Sequence, residues 1–219
     1  RGSAEFEAHA RLIATLEGNG GSRVFLADGD TMRLPTARLL ELVDITRRVF
    51  PEARRFSLYA GARGILAKSC EELARLKEAG FNTLYLGLES GSEEILREMG
   101  KDVTAAEMTE AVVAAQGVGL RVSVMALLGL GGVGRSIEHA HATAAVLNRM
   151  QPRLLSTLTL IPVPGTPLWM RIGEGTFTLP DARGMLKELR ELVAGLELSR
   201  TVFTANHASS YLPLEGALP

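Results

Sequence analysis

The stretch Thr83-Leu84-Tyr85-Leu86-Gly87-Leu88, closed by Glu89-Ser90-Gly91-Ser92, decides the fold class. Its first six residues are apolar or strand-favouring and lack the in-out alternation of a half-solvated strand. Such a run suits a parallel strand covered on both faces. The acid, glycine and serines that follow turn the chain, and Ser92 stands where a helix N-cap belongs. Strand, polar turn and capped helix together make one βα unit.

The same texture recurs on either side. Residues 23–27 (RVFLA), 56–60 (FSLYA), 120–130 (LRVSVMALLGL) and 154–163 (LLSTLTLIPV) are further strand candidates. With Val24, Phe56, Leu84, Val122 and Leu155 as markers, the spacings are 32, 28, 38 and 33 residues, room for one helix per interval. Helical period is visible in Leu39, Leu42, Val43, Thr46 and Phe50, then in Leu73, Leu76 and Ala79. It returns in Met108, Val112 and Ala115, and in Ile137, Ala140, Ala144 and Leu147. Ser69 with Glu72 and Thr104 with Glu107 read as capping boxes, Ser136 as a further N-cap, and Pro180 as a first-turn residue. Gly80, Gly100 and Gly117 read as helix-ending glycines. A helix over residues 4–16 precedes the first strand. Right-handed crossovers then predict a parallel sheet, curled into a barrel or open and doubly wound. Past Pro162 the texture changes to a proline-rich turn, a helix over 181–196 and a tail.

Composition narrows the function. The chain has 219 residues, 24 Lys+Arg against 25 Asp+Glu, and a net charge of -1. That balance gives no basis for general nucleic-acid binding or membrane-surface attraction. No run of about 20 apolar residues is present. The single cysteine, Cys70, rules out an internal disulfide framework and a cysteine-cluster metal site made by this chain alone, and suggests a reducing, cytoplasmic compartment. His139 and His141 diverge by about 200° on a helix and cannot share a metal as an i, i+4 pair does. The alternating charges of residues 71–78 and 187–191 read as solvated faces.

In parallel α/β folds reactive groups gather at strand C-termini. Those positions hold Asp28-Gly29-Asp30, Gly61-Ala62-Arg63, Glu89-Ser90, Gly129-Leu130-Gly131-Gly132-Val133-Gly134 and Pro164-Gly165-Thr166-Pro167. Asp28 and Asp30 can clamp a ligand amine, or simply cap a turn. Glu89 can receive a ribose diol, or simply lead into the Ser92-capped helix. Gly129–Gly134 spells GxGxxG between strand and helix, the form of a dinucleotide site. It lacks the acid that should end the next strand, and it falls on the fourth strand rather than the first. His207 and Tyr211, in a polar patch of the tail, are candidates to reach the mouth of the fold.

Taken in order, Leu26-Ala27-Asp28-Gly29-Asp30, Leu84–Gly91, Leu128–Gly132 and Pro164–Leu168 resemble the radical S-adenosylmethionine (SAM) superfamily, in its coproporphyrinogen-oxidase-like and Elongator-like branch. The resemblance runs from about Arg23 to Trp169, and the tail from Phe203 resembles a subfamily of unassigned function. It implies a partial (β/α)6 TIM-like barrel over residues 1–170, with residues 171–219 as a helix and tail packed on it. It implies SAM at the strand ends beside a [4Fe–4S] cluster. Asp28, Gly29 and Asp30 would receive the methionine amine, Glu89 and Ser90 the ribose, and Leu128, Gly129, Gly131, Pro164 and Gly165 the adenine, with Lys101 as a nearby basic group. It implies reductive cleavage of SAM to a 5′-deoxyadenosyl radical, with flavodoxin or ferredoxin as electron donor and a small molecule as substrate. The CxxxCxxC cluster segment of that family is absent. The expectation is therefore a fragment that lacks the first strand and cluster loop and is inactive alone. Two other readings stay open: a cluster-less binding scaffold, and an NAD(P)-dependent enzyme using Gly129–Gly134.

Overall fold

The structure, a computed structural model, describes residues 2–17, 22–27 and 29–218. The chain divides into two compact units, Arg1–Tyr85 with Val113–Val122, and Leu86–Val112 with Ser123–Pro219.

The first unit opens with α1 (Ser3–Glu17) and β1 (Arg23–Leu26). A single 3₁₀ turn (Thr31–Arg33), α2 (Thr36–Val49), β2 (Arg55–Tyr59), α3 (Ala62–Leu66) and α4 (Cys70–Glu78) follow, and β3 (Phe81–Glu89) begins there. β1 pairs parallel with β2, setting Leu26 beside Leu58, and β2 pairs parallel with β3, setting Leu58 beside Leu84. Phe56, Leu58 and Leu84 are fully buried, and this one face of the strands supplies the unit's core. The other face carries Phe25, Tyr59 and Tyr85, whose rings meet edge to face at 4.9 and 5.3 Å about Phe25. The Ser69–Glu72 capping box is present, each side chain accepting from the other's amide. Gly80 turns the chain into β3 with φ +102°, and a Cβ there would lie 2.9 Å from the Arg54 carbonyl oxygen.

The second unit takes up the end of β3 and continues through α5 (Glu93–Glu98), α6 (Ala105–Gly117), β4 (Arg121–Leu128), α7 (Gly132–Met150) and β5 (Leu154–Thr159). It ends with α8 (Pro167–Gly173), α9 (Ala182–Ala194), β6 (Thr201–Thr204) and β7 (Glu215–Leu218). β4 and β5 are parallel, with Val124 beside Leu155, and β6 lies parallel to β5, with Phe203 beside Leu155. β7 returns antiparallel along β6. The tail thus adds two strands of its own. The long apolar run of β4 buries Val124, Ala126 and Leu128 on one face.

Several expected signals lie elsewhere. Pro180 lies before α9 instead of in its first turn; Asp181 caps the helix, its carboxylate accepting from the Gly184 amide at 2.8 Å. Gly119, with φ +81°, makes the turn into β4, whereas Gly117 still belongs to α6. Ser136 lies inside α7, just past a kink at Arg135, and its hydroxyl reaches a buried carboxylate instead of capping the helix. The presumed solvated face of 187–191 contains that carboxylate, Glu188, which is fully buried.

Candidate functional site: the strand C-termini

In the first unit, Asp30 holds the turn after β1. Asp28 lies outside the described residues. Gly29 takes φ +64° in open space. Asp30 Oδ1 accepts from the Gly61 amide at 2.8 Å, and a Cβ on Gly61 would sit 2.4 Å from Oδ2. The carboxylate therefore covers the start of α3, and only a glycine at 61 allows that approach. Asp30→Ala would orphan this amide and is expected to cost about 1–2 kcal/mol, read from urea unfolding. An unchanged unfolding midpoint would show that this contact anchors nothing.

In the second unit, Glu89 ends β3 with φ +63°, a left-handed conformation that is costly for any residue with a Cβ. Strain of this kind concentrates at sites where a side chain must be aimed. The Glu89 side chain folds back along the strand. A Cβ on Gly87 would lie 2.1 Å from its Oε1 and 3.6 Å from Lys101 Nζ. Lys101 Nζ stands 3.3 Å from Glu89 Oε1 and also donates to the Gly87 carbonyl. Gly87, Glu89 and Lys101 thus form one assembly: a glycine that clears space, a carboxylate in that space and an ammonium holding it. Ser90 is buried; its hydroxyl accepts from the Ser92 amide at 3.0 Å and shapes the turn. Ser92 caps α5, accepting from the Ile95 amide. The Gly91 amide donates to Thr143 Oγ1 at 2.9 Å, tying the turn to α7.

The glycine loop after β4 is bonded internally. The Gly129 amide donates to Glu188 Oε1 at 2.7 Å, Gly132 to the Gly129 carbonyl at 3.0 Å, and Val133 to the Thr178 carbonyl at 2.9 Å. The Leu128 carbonyl accepts from Leu160. A Cβ on Gly131 would fall 2.7 Å from the Arg135 carbonyl oxygen, which explains that glycine by packing. A phosphate needs free amides and no competing anion. Here a buried carboxylate already takes the Gly129 amide, so the dinucleotide reading of Gly129–Gly134 does not hold.

Glu188 is the residue that sequence reasoning missed. It receives the Gly129 amide and His139 Nδ1, at 3.0 Å, on one oxygen, and the Ser136 hydroxyl on the other. Its signal was positional. Met185, Glu188, Leu189 and Leu192 recur at i, i+3, i+4 and i+7, a buried stripe of α9. Ser136, His139, Ala140 and Thr143 make the facing stripe of α7.

The remaining candidates separate. Pro164 and Gly165 form an exposed turn before Thr166, the cap of α8, and Gly165 has φ +82°. Near that turn, Met99, Leu160, Ile161, Val163 and Leu168 line an apolar cleft of about 300 Å³. At its edge Arg135 bonds Glu98 at 2.7 Å and holds that carboxyl below its usual range. His207 lines a different cavity of about 400 Å³, with Asn206 and the β5–β6 side chains Ser156 and Thr204. Tyr211 is exposed and borders a narrow crevice by Leu128 and Met185.

Fit to the two implied cofactors differs. Glu89 and Lys101, over a glycine-cleared strand end, suit a ligand bearing a diol and a carboxylate. An iron–sulfur cluster needs several thiolates. Cys70 is the only cysteine and stands exposed at the start of α4. Among the described residues no group of three or more His, Cys, Asp or Glu side chains could hold a metal. The cluster does not fit these residues.

Parallel α/β units with a carboxylate and glycines at the strand ends define a class of cofactor-binding proteins. The chain belongs to the Radical SAM superfamily, whose model matches residues 3–144. It is 30% identical over 128 residues to an uncharacterized methyltransferase, PH0819, of Pyrococcus horikoshii, covering 58% of this chain and 27% of that protein. It is 26% identical over 159 residues to the heme chaperone HemW of Bacillus subtilis, covering 72% of this chain and 41% of that one. Its fold matches that of coproporphyrinogen III oxidase (HemN) from Escherichia coli, a radical SAM enzyme, with a TM-score of 0.67 at 19% identity, over 86% of this chain and 43% of that one. The expected fold class is thereby confirmed. The chain spans less than half the length of these proteins. Among the described residues no helix is long and apolar enough to cross a membrane.

Proposed function

We propose that this chain is the SAM-binding part of a radical enzyme that acts on a small molecule in the cytoplasm. The observation that carries the reading is the Gly87–Glu89–Lys101 assembly at the end of β3, where a strained backbone aims a carboxylate. In this reading Glu89 accepts from the ribose hydroxyls. Lys101 holds that carboxylate in place and attracts the carboxylate of SAM. A [4Fe–4S] cluster, held by cysteines outside this chain, would supply the electron for reductive cleavage, with flavodoxin or ferredoxin as its source.

The test uses the full-length gene product. SAM binding is measured by calorimetry for the wild type and for Glu89→Ala. Loss of the charge-assisted bonds is expected to weaken binding at least tenfold, about 1.4 kcal/mol. Equal affinities would remove Glu89 from the site, and a wild type that ignores SAM would overturn the whole reading.

A further inference from the structure

Among the described residues, the cavity at the end of β5 and β6 is lined by no Lys, Arg, Asp or Glu. Met125, Ser156, Leu158, Thr204, Asn206 and His207 line about 400 Å³. Ser156 and Thr204 bond each other at 2.8 Å and so hold the register of these strands on that wall.

His207 is fixed within this wall by a relay from the strand. The Thr159 amide donates to Ser209 Oγ at 3.0 Å. Ser209 Oγ lies 2.8 Å from His207 Nδ1, and the Ser209 amide donates to the same Nδ1 at 3.1 Å. An amide N–H can only donate, so Nδ1 is the acceptor and the ring proton sits on Nε2. The Ser209 hydroxyl, already accepting from Thr159, has its own proton left for Nδ1. A second backbone bond, from Ser210 to the His207 carbonyl at 2.8 Å, closes the turn that carries the ring.

We propose that this cavity is the substrate subsite and that His207 Nε2–H is its donor for a carbonyl oxygen of an uncharged substrate such as an amide. Ser209 is the positioning residue. The substrate assignment rests on the SAM-dependent reading above. The class follows from the lining: a carboxylate would be held best by a cationic partner, and among the described residues no Lys or Arg lines this half-exposed cavity. A neutral carbonyl needs only a donor, and the apolar walls of Met125 and Leu158 suit the carbon skeleton beside it.

The test is ¹⁵N NMR of the His207 ring in the full-length protein, followed as the pH is raised until the ring resonances no longer change. The wild type is expected to show one tautomer, with Nε2 protonated and Nδ1 bare. Ser209→Ala should broaden or mix the two forms. N-methylacetamide, used as a probe, should shift the Nε2 resonance, and acetate should not. A protonated Nδ1 or a tautomer mixture in the wild type overturns the donor assignment. A larger response to acetate overturns the substrate class. SAM binding is measured on the same sample. Its absence beside a single Nε2–H tautomer would sink the SAM reading alone, and a mixed tautomer with SAM bound would sink this one alone.

Discussion

Glu188→Ala is expected to destabilise the protein by about 3–5 kcal/mol, since each buried donor left without an acceptor costs about 1–3 kcal/mol. Three donors converge on this carboxylate: the Gly129 amide, the Ser136 hydroxyl and His139 Nδ1. Alanine leaves all three without an acceptor in a region that excludes water. His139 Nε2 is already buried without a partner, so its ring gains nothing elsewhere. A cavity the size of the lost side chain adds to the cost. Glu188→Gln separates shape from charge. Its carbonyl can still accept from Gly129, and its amide can donate to Ser136 Oγ, so a loss of about 1 kcal/mol is expected. Urea unfolding of the three proteins decides the matter. An alanine variant as stable as the wild type would mean that the network contributes no net stability.

Gly91→Ala is expected to cost about 3 kcal/mol, the upper end for overpacking. A Cβ at this position would lie 2.2 Å from the Ala142 carbonyl oxygen and 2.6 Å from Thr143 Cα. These are backbone atoms of the 19-residue helix α7 and cannot swing aside as a side-chain tip would. The helix or the turn must move, and the Gly91–Thr143 bond goes with it. Because Gly91 is two residues from Glu89, the same variant is expected to weaken SAM binding. Gly100→Ala is the matched control. Its φ is +74°, but no atom lies within 4 Å of the added Cβ, so it pays only the conformational cost of about 1 kcal/mol. Thermal unfolding that ranks Gly100→Ala as the worse variant would contradict the packing argument.

Much of this was legible in local chemistry. The Ser69–Glu72 and Thr104–Glu107 boxes and the Ser92 cap stand where propensity placed them, because each depends on residues three apart. The five strand runs were visible because they are largely apolar, but the expected cover on both faces is missing from β1 and β2, where Phe25 and Tyr59 on the second face stand exposed. Glu89 was visible because it breaks such a run at its end. Glu188 was not. Its neighbours Lys187, Arg190 and Glu191 are charged, and charge alternation hid the buried stripe beneath it. The tail was half legible: its polar patch was noticed, but β6 and β7 are four residues each and carry too little pattern to announce pairing.

Hydrophobic period and caps were enough to read the α/β class, and the order of acidic and glycine-bearing strand ends carried the resemblance to the superfamily, since these are properties of neighbours along the chain. Partnership across long separations was not contained in them. That Glu188 answers Gly129, that Lys101 folds back on Glu89 and Gly87, and that Ser209 turns His207 toward a cavity each depend on helices and strands meeting in space. A buried polar group takes whichever partner the packing brings within reach, and composition along the chain carries no record of that choice.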